Sequence, residues 1–281
     1  MFRAVSGRDL FATAFEHILR PPWSERQSGD GPALVRYGET DSADLFECRL
    51  LTNDSLHQIV ARADRAYAAR EGLRNVRESV EQLRNAFAQS DNYEIAWRLS
   101  RALFFLGQQS RAEAQSARDL HAEGATFGRD ATRSRPERVE GHFWAGVNLA
   151  LLAALQSKPK AALHALQAKR VLHRAVAIDA AYHSAGPLRV LARLQAELPR
   201  WLGGGRSRAL ANFERAIASA PSNTVTRIYF AELLLDIGET SRARAELELV
   251  HSVAFDPDWA FEIARDQQRA REMLARLRSF D

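Results

Sequence analysis

The amino-acid sequence predicts an all-α protein built as a solenoid of stacked helical hairpins, and three observations carry that prediction. From about residue 53 onward, apolar residues recur at helical spacing and no stretch alternates as a half-buried strand would. Helix breakers punctuate the chain at intervals: "SDN" near 91, "LGQQS" near 107, "SRPE" near 135, "SKPK" near 158, "GGG" at 203, "APSN" near 221, "IGETS" near 238 and "FDPD" near 256. Between the breakers, one spacing of small and aromatic residues keeps returning.

Residues 1–52 read as an N-terminal arm. Leu10, Phe11, Phe15, Ile18 and Leu19 lie at helical spacing and predict a short amphipathic helix, while Pro21, Pro22, Gly29, Gly31 and Gly38 predict a partly extended stretch after it. Residues 53–281 read as the helical array. Its clearest unit is Ala209, Phe213, Ala216 and Pro221, the signature of the second helix of a tetratricopeptide repeat. Small residues let two helices approach closely, the aromatic fills the groove between them, and the proline starts the next helix. The spacing recurs at Ser79, Leu83, Ala86 and Asp91, at Gly124, Gly128, Ala131 and Pro136, at Ala168, Leu172, Ala175 and Ala180, and at Ala243, Leu247 and Val250. Four to five helix pairs account for residues 53–255, with "PDWAFEIARDQQRAREMLARLRSF" as a polar C-terminal capping helix. The closing residues Asp91, Pro136, Ala180 and Pro221 lie 41 to 45 residues apart, longer than the usual 34-residue period, which predicts long hairpins around 108–122, 155–165 and 198–205.

Bulk properties narrow the function classes. Of 281 residues, 46% are hydrophobic and 26% charged, ordinary for a globular protein, and the formal charge is +4. Basic residues are interleaved with acids, as in "REGLRNVRESVEQLR", which reads as solvated helix faces and not as a nucleic-acid stripe. Cys48 stands alone, so an internal disulfide is excluded, and the scattered histidines form no metal-ligand pattern. No cofactor is expected. No stretch approaches the roughly 18 apolar residues of a membrane span. The N-terminus shows no continuous apolar secretory core, and on that ground the expected location is the cytoplasm.

The stretches "HFWAGVNLALLAAL" (142–155), "HRAVAIDAAYHSAGPLRVLARLQAELPRWLGGGRSRALANFERAIASAP" (173–221) and "YFAELLLDIGETSRARAELELV" (229–250) resemble the T component associated with tripartite ATP-independent periplasmic (TRAP) transporters. Asp179, Gly186, Pro187, Arg189, Pro199, Gly203, Gly204, Ala209, Ala216 and Pro221 match that family's pattern, and the likeness covers roughly residues 90–250. It implies cryptic tetratricopeptide repeats, a periplasmic and often lipid-anchored protein, a solute-binding subunit as partner, and a cleft suited to an apolar ligand. Cys48 follows "DLFE" and not the small apolar residues of a lipoprotein site.

Candidate functional residues follow from both readings. Trp97 with Arg98, and Trp144 with Asn148, place an aromatic beside a polar group on the first helix of a pair, the type that lines the inner surface of such arrays. Arg189 and Trp201 join them as candidate partner- or ligand-binding residues, and Gly186, Pro187, Gly203, Gly204 and Gly205 form the family-motif turns. The run Gly203-Gly204-Gly205 before Arg206 and Ser207 reads as a repeat turn, with anion binding at the following helix as the alternative. The pairs Glu140/His142 and Asp179/His183 have no nucleophile or oxyanion turn nearby, and Asp179 with His183 reads as a helix start. The expected function is therefore non-enzymatic recognition of a protein partner in the groove. A cytoplasmic adaptor for a peptide or helix, or a carrier of a small apolar ligand, would use the same interior.

Overall fold

The computed structural model describes residues 53–110 and 114–278, so the expected N-terminal arm lies outside the described residues. Those residues form eleven α-helices: α1 (Asn53–Ala68), α2 (Leu73–Gln89), α3 (Tyr93–Gln109), α4 (Ala114–Ser134), α5 (Val139–Ala154), α6 (Lys158–Ile178), α7 (Tyr182–Glu197), α8 (Arg206–Ser219), α9 (Thr224–Asp236), α10 (Thr240–Ser252) and α11 (Ala260–Arg278). Short 3-10 turns occupy Arg200–Leu202 and Pro257–Trp259, and no strand occurs among the described residues. None of these helices is long and apolar enough to cross a membrane.

Consecutive helices pack as antiparallel neighbours, giving five pairs from α1–α2 to α9–α10. The first helices also pack on one another in series, α1 on α3, α3 on α5, α5 on α7, α7 on α9, and α9 on α11. That second set of contacts makes the first helices the inner layer of a tetratricopeptide-like solenoid. The repeat residues lie in the seams as their spacing requires: Ser79, Leu83, Ala86, Ala168, Leu172, Ala175, Ala209, Phe213, Ala216, Ala243, Leu247 and Val250 are all buried. On α4 the small positions are glycines because α5 comes too close for a side chain; a Cβ at Gly128 would stand 2.7 Å from the Ala145 Cα. Helix α5 is enclosed on every side, and its sequence is apolar nearly all round.

Local signals start the inner helices. The Asn92 side chain accepts from the Glu94 amide (2.8 Å) before α3, and Asn223 accepts from the Thr226 amide (3.0 Å) before α9. Of the expected long hairpins, the one at 198–205 is present as the connection between α7 and α8, whereas those at 108–122 and 155–165 take a different form. The spare residues extend the second helices α4 and α6 to 21 residues each, against 14 in α8 and 13 in α10. The Ala-rich segments that looked like loop in the period continue their helical stripe, and helix propensity carries them on.

The C-terminal helix does more than cap the last pair. Its first turn folds back across the inner layer, where the Arg70 guanidinium donates to the Asp258 carbonyl (2.8 Å) and to both oxygens of the Glu262 carboxylate (3.2 and 2.5 Å). Phe261 meets Phe105 of α3 at a ring separation of 5.6 Å. The first and second hairpin units are thereby tied to the C-terminal helix and the 3-10 turn before it.

Candidate functional site

The inner layer converges on the start of α7. Asp179 stands just before it, its Oδ1 accepting from the amides of Ala181 (2.9 Å) and Tyr182 (3.1 Å), but the expected Asp179/His183 helix start does not form, because His183 lies in a left-handed stretch ahead of the right-handed run. The chain then turns the wrong way: His183, Ser184 and Ala185 have φ of 50°, 53° and 58°. Three consecutive left-handed residues with side chains cost about 1–2 kcal/mol each, so the surrounding packing must hold them there. Gly186 and Pro187 then start the right-handed run. A Cβ at Gly186 would sit 2.7 Å from the Phe143 ring, and proline is suited to the first position of a helix.

This reversal drives the His183 ring into an aromatic chamber. It lies 4.9 Å from Trp259, 5.2 Å from Trp144 and 5.6 Å from Phe143, centroid to centroid. The Trp144 indole N–H donates to the Tyr182 hydroxyl (3.2 Å), and Phe104 and Tyr67 close the wall behind Trp144 at 5.5 and 6.4 Å. Arginines rim the chamber. Arg101 stacks on Tyr67 at 4.1 Å, Arg70 lies over the same ring at 5.1 Å, and Arg189 lies 5.9 Å from Trp259. Burial, reinforced by the charges of Arg189, Arg101 and Arg70, pushes the His183 pKa down to about 3, so the imidazole is neutral near pH 7. Burial likewise pushes the phenols of Tyr67 and Tyr182 up. The chamber is a neutral aromatic interior under a positive field.

A second buried cluster sits at the other end of α7. Arg193 lies between Glu197 and Glu232 and ion-pairs with Glu232 (2.7 Å), and Arg269 also pairs with Glu232. Burial pushes the Glu197 carboxyl up to about 8; Arg193 opposes the shift and the nearby Glu232 and Asp236 add to it.

The residues singled out from sequence fall into three groups. Trp144 and Arg189 both belong to the aromatic chamber. Trp97 and Arg98 form a strut between α3 and α1: the guanidinium stacks on the indole at 4.1 Å and grips both Asp64 oxygens at 3.0 and 2.8 Å. Asn148, one turn from Trp144, is fully buried in a polar knot, where it donates to the carbonyls of Ser100 and Trp144 (3.0 Å each) and accepts from His121 Nδ1 (3.0 Å). Trp201 stands apart, 76% exposed on the 3-10 turn after α7.

The glycine run itself folds as a reversal. The amides of Gly203, Gly204 and Gly205 donate to the carbonyls of Arg200 (2.9 Å), Pro199 (3.1 Å) and Gln195 (2.7 Å), so none is turned outward to cradle an anion. Gly203 has φ of +78°, and a Cβ on Gly204 would stand 1.7 Å from the Leu198 carbonyl oxygen. The glycines are there for the tight reversal. Sequence reasoning missed His183 as a wall of the chamber, and missed Trp259, Phe261 and Arg70 altogether. The aromatic after Pro257-Asp258 was a visible signal for a packed turn, but nothing in it pointed across the array.

Comparison with known proteins agrees with this architecture. A family model described as TRAP transporter T-component matches residues 52–280. Among solved structures, the chain resembles TTC0263, a thermophilic TPR protein from Thermus thermophilus, at 19% identity and a TM-score of 0.56, over 75% of this chain and 98% of that one. It also resembles yeast Tom70 at 17% identity and a TM-score of 0.36, over 70% of this chain and 43% of that one. The likeness to the Thermus protein shows the tetratricopeptide-type fold. No curated protein matches the sequence. With the match spanning the whole array of hairpins, the chain belongs to the TRAP transporter T-component family.

Proposed function

We propose that the protein is a non-enzymatic docking module for the solute-binding subunit of a TRAP transporter, with Trp201 anchoring the contact. The observation that carries this reading is the posture of that indole. It stands 76% exposed on a turn whose glycine amides are all hydrogen-bonded inward, while Lys169 Nζ clamps the Leu202 carbonyl at 3.1 Å. A large aromatic held out in water by a rigid support costs little entropy to bind, and tryptophan is over-represented among residues that dominate interface energies. Membership in the TRAP transporter T-component family supports a solute-binding subunit as the partner, and with that partner the proposed location is the periplasm. The inner residues Trp97, Arg98, Trp144 and Asn148 then serve to hold the array in the shape that presents the turn.

The test is biolayer interferometry between the full chain and the TRAP solute-binding subunit of the same host. Trp201→Ala is expected to weaken binding by about 2 kcal/mol, roughly thirtyfold, with an unchanged circular dichroism spectrum. Wild-type affinity in that variant, or no measurable binding by the wild type, would overturn the proposal.

A further inference from the structure

Arg189 is the exception among the deeply buried arginines of the array. Arg70 pairs with Glu262, Arg193 with Glu232, and Arg227 with Glu246. Arg189 is only 5% exposed, yet no carboxylate pairs with it among the described residues. Its Nη1 donates to three neutral oxygens: the Ser184 carbonyl (3.0 Å), Asn223 Oδ1 (3.2 Å) and Thr226 Oγ1 (3.3 Å). The nearest acids are already committed. Glu262 is held by Arg70, and Asp266 by Arg265 and the Thr224 hydroxyl. Burial pushes the Arg189 pKa down to about 10, which still leaves the guanidinium charged at neutral pH.

An uncompensated buried charge is a heavy penalty for a fold to keep, and it is relieved when an anion arrives. The edge of the guanidinium formed by Nε and Nη2 makes no hydrogen bond to the protein among the described residues, and it is the edge that receives a carboxylate with two parallel bonds. Beside it stand the Trp259 ring, 5.9 Å from the guanidinium carbon, and the neutral His183 stacked against that ring. Phe143 and Trp144 form the wall beyond. One planar cation beside aromatic walls suits a single carboxylate on an apolar body; a phosphate would call for more donors than this wall offers.

We propose that Arg189 anchors a binding site, beneath Trp259 on the inner face, for the carboxylate of a ligand with an apolar body. The carboxylate is that of a free organic acid or of a peptide C-terminus. Trp259 lies on the 3-10 turn before α11, and the Arg70 grip on Asp258 and Glu262 holds that segment against the inner face. The site goes beyond the docking role and does not depend on it: loss of Trp201 binding leaves it intact, and its own failure leaves docking intact.

The experiment is calorimetric titration of the full chain at neutral pH with phenylacetate, with phenylacetamide, and with N-acetyl-alanyl-phenylalanine as free acid and as amide. Each acid is expected to bind at least roughly tenfold more tightly than its amide, because only the acid completes the ion pair. Arg189→Met is expected to abolish that preference, and binding is expected to change the Trp259 fluorescence, read as the difference between the wild type and Trp259→Phe. Tighter binding of phenylacetate identifies a free acid as the ligand, and tighter binding of the peptide identifies a chain terminus; both support the site. Equal binding of acid and amide, no saturable binding of either acid, or a retained acid preference in Arg189→Met would overturn it. If Arg189→Met does not fold, the acid–amide contrast in the wild type decides alone.

Discussion

Replacing Asn148 by alanine tests whether the polar knot between α3, α4 and α5 is a support of the array or a binding surface. Asn148 has no exposure to solvent, donates to the Ser100 and Trp144 carbonyls, and accepts from His121 Nδ1. Truncation removes these bonds and a longer one from Nδ2 to the Ser100 hydroxyl (3.2 Å), together worth about 3 kcal/mol. The neighbouring helix cannot move in to fill the space, because Gly124 already lies against the Asn148 side chain, 2.7 Å from where its own Cβ would be. Some cavity cost is therefore added, and the expected loss is about 3–4 kcal/mol. Asn148→Asp keeps the size but sets a carboxyl against two carbonyl acceptors in a dry interior, and is expected to cost more than alanine does. Urea unfolding followed by circular dichroism reads both as a lower midpoint with an unchanged slope. Partner affinity, measured on folded protein, is expected to stay at the wild-type value. A loss below about 1 kcal/mol for Asn148→Ala, or a milder effect of aspartate than of alanine, would refute the reasoning.

Two further expectations concern the turn and the pH profile. Gly204→Ala is expected to cost about 3 kcal/mol, since its Cβ would lie 1.7 Å from the Leu198 oxygen and the turn must open; Gly203→Ala, which pushes the Lys169 ammonium off the Leu202 carbonyl and strains φ, should cost less, about 1–2 kcal/mol, and thermal melts of the two variants check the order. For pH, Glu197 is raised from 4.5 to about 8, so the folded chain keeps a proton that the unfolded chain has released, and stability falls as pH rises through that window. His183 is lowered from 6.5 to about 3, so the unfolded chain takes up a proton that the folded chain refuses, and stability falls as pH drops through that window. Where the windows overlap the two slopes cancel, which predicts a plateau between pH 4.5 and 6.5 and a decline of about 1.4 kcal/mol per unit from 6.5 to 8. Glu197→Gln should abolish the alkaline decline in urea unfolding series, and a decline that persists in it would assign the slope to another group.

Much of the fold was legible because a helix seam has a short-range sequence code. The spacing of Ala209, Phe213 and Ala216 places all three on one face of α8, and burying that face against the neighbouring helices leaves few alternatives. The Gly-rich turn was legible for the same local reason. The long second helices were not, since the period counts residues and cannot say whether the spare ones continue α4 and α6 or leave them. Trp144 and Arg189 were visible as candidates, but the partners that make the chamber were not: Trp259 lies far along the chain from Trp144, and its place depends on how the solenoid closes.

The sequence by itself determined an all-α array of hairpins, its seams, its turns and its family, because each is encoded within one or two helical turns of chain. Only the tertiary structure decided what occupies the inner face. There α11 returns to Arg70, three left-handed residues swing His183 among the aromatics, and Arg189 is left charged and without a carboxylate among the described residues. None of these has a local signature. A left-handed His-Ser-Ala is held by packing against its own propensity, and whether a buried charge has a counter-charge depends on residues brought together from opposite ends of the chain.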